Sequence, residues 1–129
     1  MIFGIGVDIL RIDRVESVYR RFGERFVSRL LMPEELEGFR RSKRPVRFLT
    51  MHFAAKEAVV KAMGTGFANG MWIRDTGTVP DRFGRPEVVF SPRGDAKCAE
   101  LGVGSGHLTL TDEAGLVVAV AVMMRAGAE

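Results

Sequence analysis

Pro45-Val46-Arg47-Phe48-Leu49-Thr50-Met51-His52-Phe53-Ala54-Ala55-Lys56-Glu57-Ala58-Val59-Val60-Lys61-Ala62-Met63-Gly64-Thr65-Gly66 decides the architecture, because it is the longest helical pattern in the chain. Proline is preorganised for the first helical position, where its missing N–H costs nothing. Ala54, Ala55, Ala58 and Ala62 follow without an internal glycine or proline, and alanine is the strongest helix former. Gly64 supplies the stop, since glycine adopts the left-handed closing conformation without a Cβ penalty. We predict a helix from Pro45 to Met63. Glu57 and Lys61 lie four residues apart on it, one turn before Gly64-Thr65-Gly66. That spacing has two readings. One is an intrahelical ion pair above a glycine stop; the other is a lysine and a turn of unobstructed amides suited to phosphate oxygens.

Upstream, Ile2 to Ile9 alternates, with Ile5, Val7 and Ile9 on one face and Gly4, Gly6 and Asp8 on the other. This reads as a strand with one bare face, open to close approach by a ligand or another backbone. Asp8 projects from the cleared side. It is either a turn-forming residue or, with Glu57, one of the one or two carboxylates that magnesium takes from a protein. Asp13 with Glu16 has the spacing of a capping box, and Val15, Val18, Tyr19 and Phe22 recur at helical spacing before Gly23. Arg14, Ser17 and Arg21 stack on the polar side of that helix. Further helices are expected at Phe26 to Leu31 and from Pro33, and Arg40 to Arg44 reads as a basic loop.

Downstream, Met71 to Ile73 and Thr78 to Val79 read as extended. Asp81 to Pro86 has turn chemistry before the strand Val88 to Phe90, and Ser91-Pro92 caps and opens a helix ending at Gly102. The last strands are expected at His107 to Thr111 and Leu116 to Met124, joined by a hairpin turn from Asp112 to Gly115.

The 129 residues are 47% apolar, enough for one sizeable core and too few for two, so residues 1–129 are read as one domain. Most arginines fall between Arg11 and Arg47, which predicts an acidic or phosphorylated partner for that half. Cys98 is the lone cysteine, which suits a reducing compartment. The longest apolar run, Leu116 to Met124, is too short to span a bilayer, and no leader pattern is visible, so a cytoplasmic protein with no membrane partner is expected.

Several common chemistries are disfavoured. Gly4, Gly6 and then Ile9 break the dinucleotide fingerprint at its third glycine, and no Gly-Lys-Ser/Thr phosphate loop occurs. One cysteine with His52 and His107 far apart argues against structural zinc. An arginine-rich RNA-binding module is the main non-enzymatic alternative, but one Trp, one Tyr and no stacking motif argue for no nucleic acid partner.

Three stretches, taken together, carry a resemblance. Gly4-Ile5-Gly6-Val7-Asp8-Ile9, Phe53-Ala54-Ala55-Lys56-Glu57-Ala58 with Lys61-Ala62-Met63-Gly64-Thr65-Gly66, and His107-Leu108-Thr109-Leu110-Thr111 resemble the signature stretches of bacterial holo-acyl-carrier-protein synthases. The resemblance implies an α+β phosphopantetheinyl transferase fold, a small antiparallel sheet packed against a long helix, with active sites at homotrimer interfaces. It implies transfer of 4′-phosphopantetheine from coenzyme A to a serine of apo-acyl-carrier protein, releasing 3′,5′-ADP. Asp8 and Glu57 would hold Mg2+, with Mn2+ as the alternative, and Glu57 and Lys61 would be catalytic. Lys61, Gly64, Thr65, Gly66, His107 and Thr109 would contact coenzyme A, the two β-strand residues across a subunit boundary. Arg14, Arg21 and Arg25 match the basic surface turned toward the carrier. Two positions depart from the pattern. Many relatives have an arginine at His52, associated with coenzyme A phosphate binding, so either the shorter imidazole suffices there or Arg47 compensates. Many also carry a histidine at Asp112.

Overall fold

The computed structural model describes residues 1–127. It runs β1 (Ile2–Arg11), α1 (Ile12–Phe22), α2 (Glu24–Leu30), α3 (Pro33–Arg41), α4 (Pro45–Met63), a 3-10 turn (Ile73–Asp75), β2 (Thr76–Pro80), β3 (Pro86–Phe90), α5 (Pro92–Leu101), β4 (Val103–Glu113) and β5 (Leu116–Arg125). The fold is α+β, with a three-stranded antiparallel sheet in the order β1-β5-β4 and a separate β2-β3 hairpin.

Helix α4 lies across one face of the larger sheet, and the glycines of β1 explain how. A Cβ on Gly4 would overlap the Ala62 carbonyl, and one on Gly6 would overlap the Ala58 carbonyl. The bare face thus admits a helix backbone. Ala54, Ala55, Ala58 and Ala62 are buried there, and Val117, Ala119, Ala121 and Met123 of β5 complete the core beneath them. Small residues on both sides bring helix and sheet close and leave little slack for added volume. A second apolar cluster, Val15, Val27, Leu30, Leu31, Phe39 and Leu49, packs α1, α2 and α3 against the start of α4. Leu10 borders both clusters.

The opposite sheet face is apolar and uncovered. Ile5, Val7 and Ile9 are 64%, 55% and 58% exposed. They lie opposite Val122, Val120 and Val118 of β5, which in turn lie opposite His107, Thr109 and Thr111 of β4.

Several expected boundaries shift. The Asp13 capping box does not form: α1 starts at Ile12, Arg11 stands at the cap without a side-chain bond to the helix-end amides, and Asp13 sits in the first turn, where its charge complements the helix dipole. Gly23 ends α1 and α2 begins at Glu24. Ile73 belongs to the 3-10 turn rather than a strand. Strand β4 is longer than expected and includes Asp112, so the hairpin turn is Ala114-Gly115 alone, both with positive φ. Two residues at positive φ are the twist-matched solution for a tight hairpin, and a polar Asp does not by itself break a ladder.

Ser91 behaves as expected. Its Oγ accepts the Gly94 N–H at 3.0 Å and donates to Asp75 at 2.7 Å. Ser91→Ala is expected to lower the unfolding free energy by about 1 kcal/mol, read from urea denaturation. An unchanged midpoint would show that the cap contributes nothing.

Candidate functional site

Asp8 leaves the inner face of β1 beside the C-terminal half of α4. Lys61 Nζ donates to Asp8 Oδ1 and to the Val7 carbonyl, both at 3.1 Å. The intrahelical Glu57–Lys61 pair suggested by spacing is absent among the described ion pairs; Lys61 turns to Asp8 instead. Asp8 Oδ2 is buried and has no partner among the described residues. An orphaned carboxylate oxygen is costly unless a cation meets it. Glu57 adds a second acid: burial raises its carboxyl above the usual range, the nearby Asp8 charge raises it further, and Lys61 opposes both. Two neighbouring carboxylates, one with an unsatisfied oxygen, are a donor set suited to a hard divalent cation.

The glycine turn after α4 works differently from expectation. Gly64 closes the helix at φ 80. Its amide bonds the Lys61 carbonyl, and the Thr65 and Gly66 amides both bond the Val60 carbonyl, at 3.1 and 3.2 Å. These N–H groups are spent on the helix end. They are not free for phosphate, as expected of unobstructed amides. The Thr65 hydroxyl, on a buried residue, donates to the Gly66 carbonyl at 2.8 Å and keeps acceptor capacity.

The N-terminal half of α4 carries a different group of residues. A cleft of about 420 Å³ is lined by Arg44, Arg47, His52, Thr78, Pro86 and Thr109, among others. It brings together three expected coenzyme A contacts, Arg47, His52 and Thr109. Arg47 is partly committed: its Nε and Nη2 grip the two oxygens of Asp112, both at 2.9 Å. This guanidinium bond holds the Asp112 carboxyl below the usual carboxylate range. Arg44 shares the cleft and is a cation that sequence reading missed.

His52 is anchored from behind. Its ring stacks on Phe48, centroids 3.9 Å apart, and Nδ1 lies 2.5 Å from Glu35 Oε2. Glu35 is buried and also accepts from Lys56 Nζ at 2.7 Å, the Met32 N–H at 2.9 Å and the Thr78 N–H at 3.0 Å. Burial pushes its carboxyl up, but the His52 hydrogen bond and the Lys56 charge outweigh that and hold it ionised.

The remaining expected residues fall in two places. His107 and Thr109 lie on the exposed sheet face, with β5 between them and β1, whereas Asp8 points to the α4 side. One chain therefore does not bring them to Asp8 and Glu57. They border a second cleft with Asp81, Arg85, Pro86 and Glu87, which adds Arg85 to the candidates. Arg14 and Arg21 are exposed on α1, and Arg25 is exposed on α2, past the Gly23 break. None of the three has an acid partner among the described ion pairs, whereas Arg11, Arg20 and Arg40 each do.

A lysine beside two carboxylates, on a helix whose other half lines an arginine-bearing cleft, is equipment for handling a phosphate-containing group. Comparison makes the class specific. The chain belongs to the 4′-phosphopantetheinyl transferase superfamily, whose family model matches residues 4–121. It is 44% identical over 112 residues to a holo-[acyl-carrier-protein] synthase of Yersinia pseudotuberculosis, covering 87% of this chain and 89% of the relative. The structure of the Neisseria meningitidis holo-[acyl-carrier-protein] synthase matches with a TM-score of 0.92 at 38% identity, covering 97% of this chain and 100% of that one. The Helicobacter pylori enzyme, solved in complex with coenzyme A, matches with a TM-score of 0.81 at 27% identity over 92% and 98% of the two chains.

Proposed function

We infer that this chain moves the 4′-phosphopantetheine group of coenzyme A onto a serine of apo-acyl-carrier protein, releasing 3′,5′-ADP and readying the carrier for fatty acid biosynthesis. The observation that carries the reading is the Asp8–Glu57–Lys61 cluster, with its orphaned carboxylate oxygen, on a chain of this family. The serine oxygen forms a bond to the β-phosphorus, the bond from that phosphorus to the departing 3′,5′-ADP oxygen breaks, and the serine proton leaves to a base. Such a reaction depends on positioning and charge neutralisation more than on covalent help. Lys61 supplies a fixed cation at the pyrophosphate. Glu57, whose proton affinity is raised, takes the serine proton with one oxygen. Mg2+, or Mn2+ in its place, would be held by Asp8 and Glu57 and would offset charge on the pyrophosphate.

Coenzyme A binding is assigned to Arg47, His52, Lys61, Gly64, Thr65, Gly66, His107 and Thr109, with Arg44 alongside; Gly64 and Gly66 would offer open, Cβ-free surface rather than amide donors. Because Asp8 and His107 occupy opposite faces of the sheet, a complete site calls for a second copy of the chain. The exposed Ile5, Val7 and Ile9 face supports that assembly, since a contiguous apolar sheet face is what a subunit interface covers. A homotrimer of single-domain chains, each spanning residues 1–129, is the arrangement we favour. Cytoplasmic residence suits the lone buried Cys98, whose thiol burial and the nearby Asp95 push up to about 11.

Arg14, Arg21 and Arg25 form the carrier-docking surface. Arg14→Glu with Arg21→Glu is expected to raise the KM for carrier by about tenfold or more while leaving coenzyme A affinity unchanged. Unaltered carrier kinetics would place the docking surface elsewhere. The activity itself is tested by following 3′,5′-ADP release. Release that needs coenzyme A and a carrier serine supports the reading, and equal release with a Ser→Ala carrier contradicts it.

A further inference from the structure

Helix α4 places His52 where its two ring nitrogens face different surroundings. Nδ1 meets Glu35, a carboxylate fixed by two backbone amides and by Lys56, all buried. An ionised carboxylate only accepts hydrogen bonds, so Nδ1 must carry the proton. Lys56 already balances the Glu35 charge, and the Phe48 stack fixes the ring plane. Nε2 has no partner among the described residues and is not a buried orphan, so it opens to the cleft that His52 lines with Arg44 and Arg47.

We propose that Glu35 is a positioning residue: it locks His52 in the Nδ1–H form and so presents Nε2 to an anionic group of the ligand in this cleft. The inference rests on the reading of the cleft as part of the coenzyme A site. A bare Nε2 lone pair repels a phosphate oxygen, whereas a protonated one donates to it. Ligand binding therefore draws a proton to Nε2. The resulting imidazolium bridges Glu35 on one side and the ligand phosphate on the other. The charged groups around the ring are Glu35 of α3, Arg44 before α4, Arg47 and Lys56 of α4, and Asp112 of β4, which Arg47 engages. The neighbouring hairpin contributes Thr78, Val79, Pro80 and Pro86 to the cleft, none of them titratable. Because binding takes up a proton at Nε2, coenzyme A affinity should fall with rising pH.

The chain has two histidines, so nitrogen-15 NMR of histidine-labelled protein reads His52 directly, with His107→Gln supplying the assignment. In the free protein near neutral pH we expect a protonated Nδ1 and a pyridine-like Nε2, the opposite of the tautomer that free histidine favours. Adding 3′,5′-ADP should move Nε2 to the protonated position while Nδ1 shifts little. An Nε2–H tautomer in the free protein would overturn the role of Glu35. A His52 signal unmoved by saturating 3′,5′-ADP would overturn the contact. Failure to bind 3′,5′-ADP or coenzyme A at all would instead sink the coenzyme A reading of the cleft, and the ligand half of the inference with it. Glu35→Gln leaves Lys56 buried without its counter-charge and risks the fold, so kinetics use His52→Gln. That variant should raise the KM for coenzyme A by about tenfold, abolish the pH dependence of that KM, and change kcat by less than about twofold. A loss confined to kcat would contradict the proposal.

Discussion

Asp8→Asn and Glu57→Gln are each expected to abolish measurable phosphopantetheine transfer, a loss of about a thousandfold or more, while the thermal midpoint holds or rises slightly. The two halves of that expectation have one cause. Burial, and after it the Asp8 charge, raises the proton affinity of Glu57. In the metal-free protein the second negative charge therefore works against folding. Replacing either carboxylate by its amide relieves that repulsion and keeps the shape. The same replacement removes half of the carboxylate pair beside Lys61, and Asp8 Oδ2 has no other partner among the described residues. Steady-state transfer with magnesium in excess, set beside a melting curve, makes the comparison. Wild-type turnover in either variant would remove the pair from the mechanism, and a collapse of the fold would show that the residues are structural.

Gly6→Ala should produce the largest stability loss of any single methyl addition along β1. The new Cβ would overlap the Ala58 carbonyl oxygen and lie 2.6 Å from the Ala62 amide nitrogen, both of them helix backbone. No rotamer change can relieve a clash with backbone, so α4 must lift from the sheet and open the packing of Ala58, Ala62, Ala119 and Ala121. Overpacking of this kind costs about 3 kcal/mol or more. Activity should fall as well, because lifting α4 carries Glu57 and Lys61 away from Asp8. Guanidinium denaturation checks the stability, and a midpoint within experimental error of wild type would contradict the close approach of strand and helix.

Much of this was legible from residue patterns because the signals were local. Pro45, the alanines and Gly64 bound α4 correctly, and Gly4 and Gly6 announced a close approach, though only the structure shows that α4 is what approaches. Ser91-Pro92 and Gly102 likewise framed α5. Sequence spacing failed where long-range pairing decides. Lys61 chose Asp8, from a strand far away in sequence, over Glu57 one turn along its own helix. The amides of Gly64, Thr65 and Gly66 looked available because a helix end hides how its last carbonyls are satisfied.

Glu35 and Lys56 were missed for a related reason. Glu35 stands at the third position of a helix opened by Pro33, which reads as ordinary capping, and its bond to the Met32 N–H fulfils that role. A signal was present in Lys56, which follows Ala54 and Ala55 on the buried side of α4 and therefore requires a carboxylate partner. Its partner lies on another helix, and charge pairing between helices leaves no trace in spacing. Long-range pairing also governs the departing positions His52 and Asp112. Each has a dedicated partner, Glu35 and Arg47, within one chain.

Mass spectrometry of apo-acyl-carrier protein incubated with this protein and coenzyme A, with magnesium or with a chelator, tests the central claim most directly. The account predicts addition of one phosphopantetheine mass to the carrier in magnesium and none in chelator. An unmodified carrier under both conditions, with the protein folded and coenzyme A intact, would contradict it.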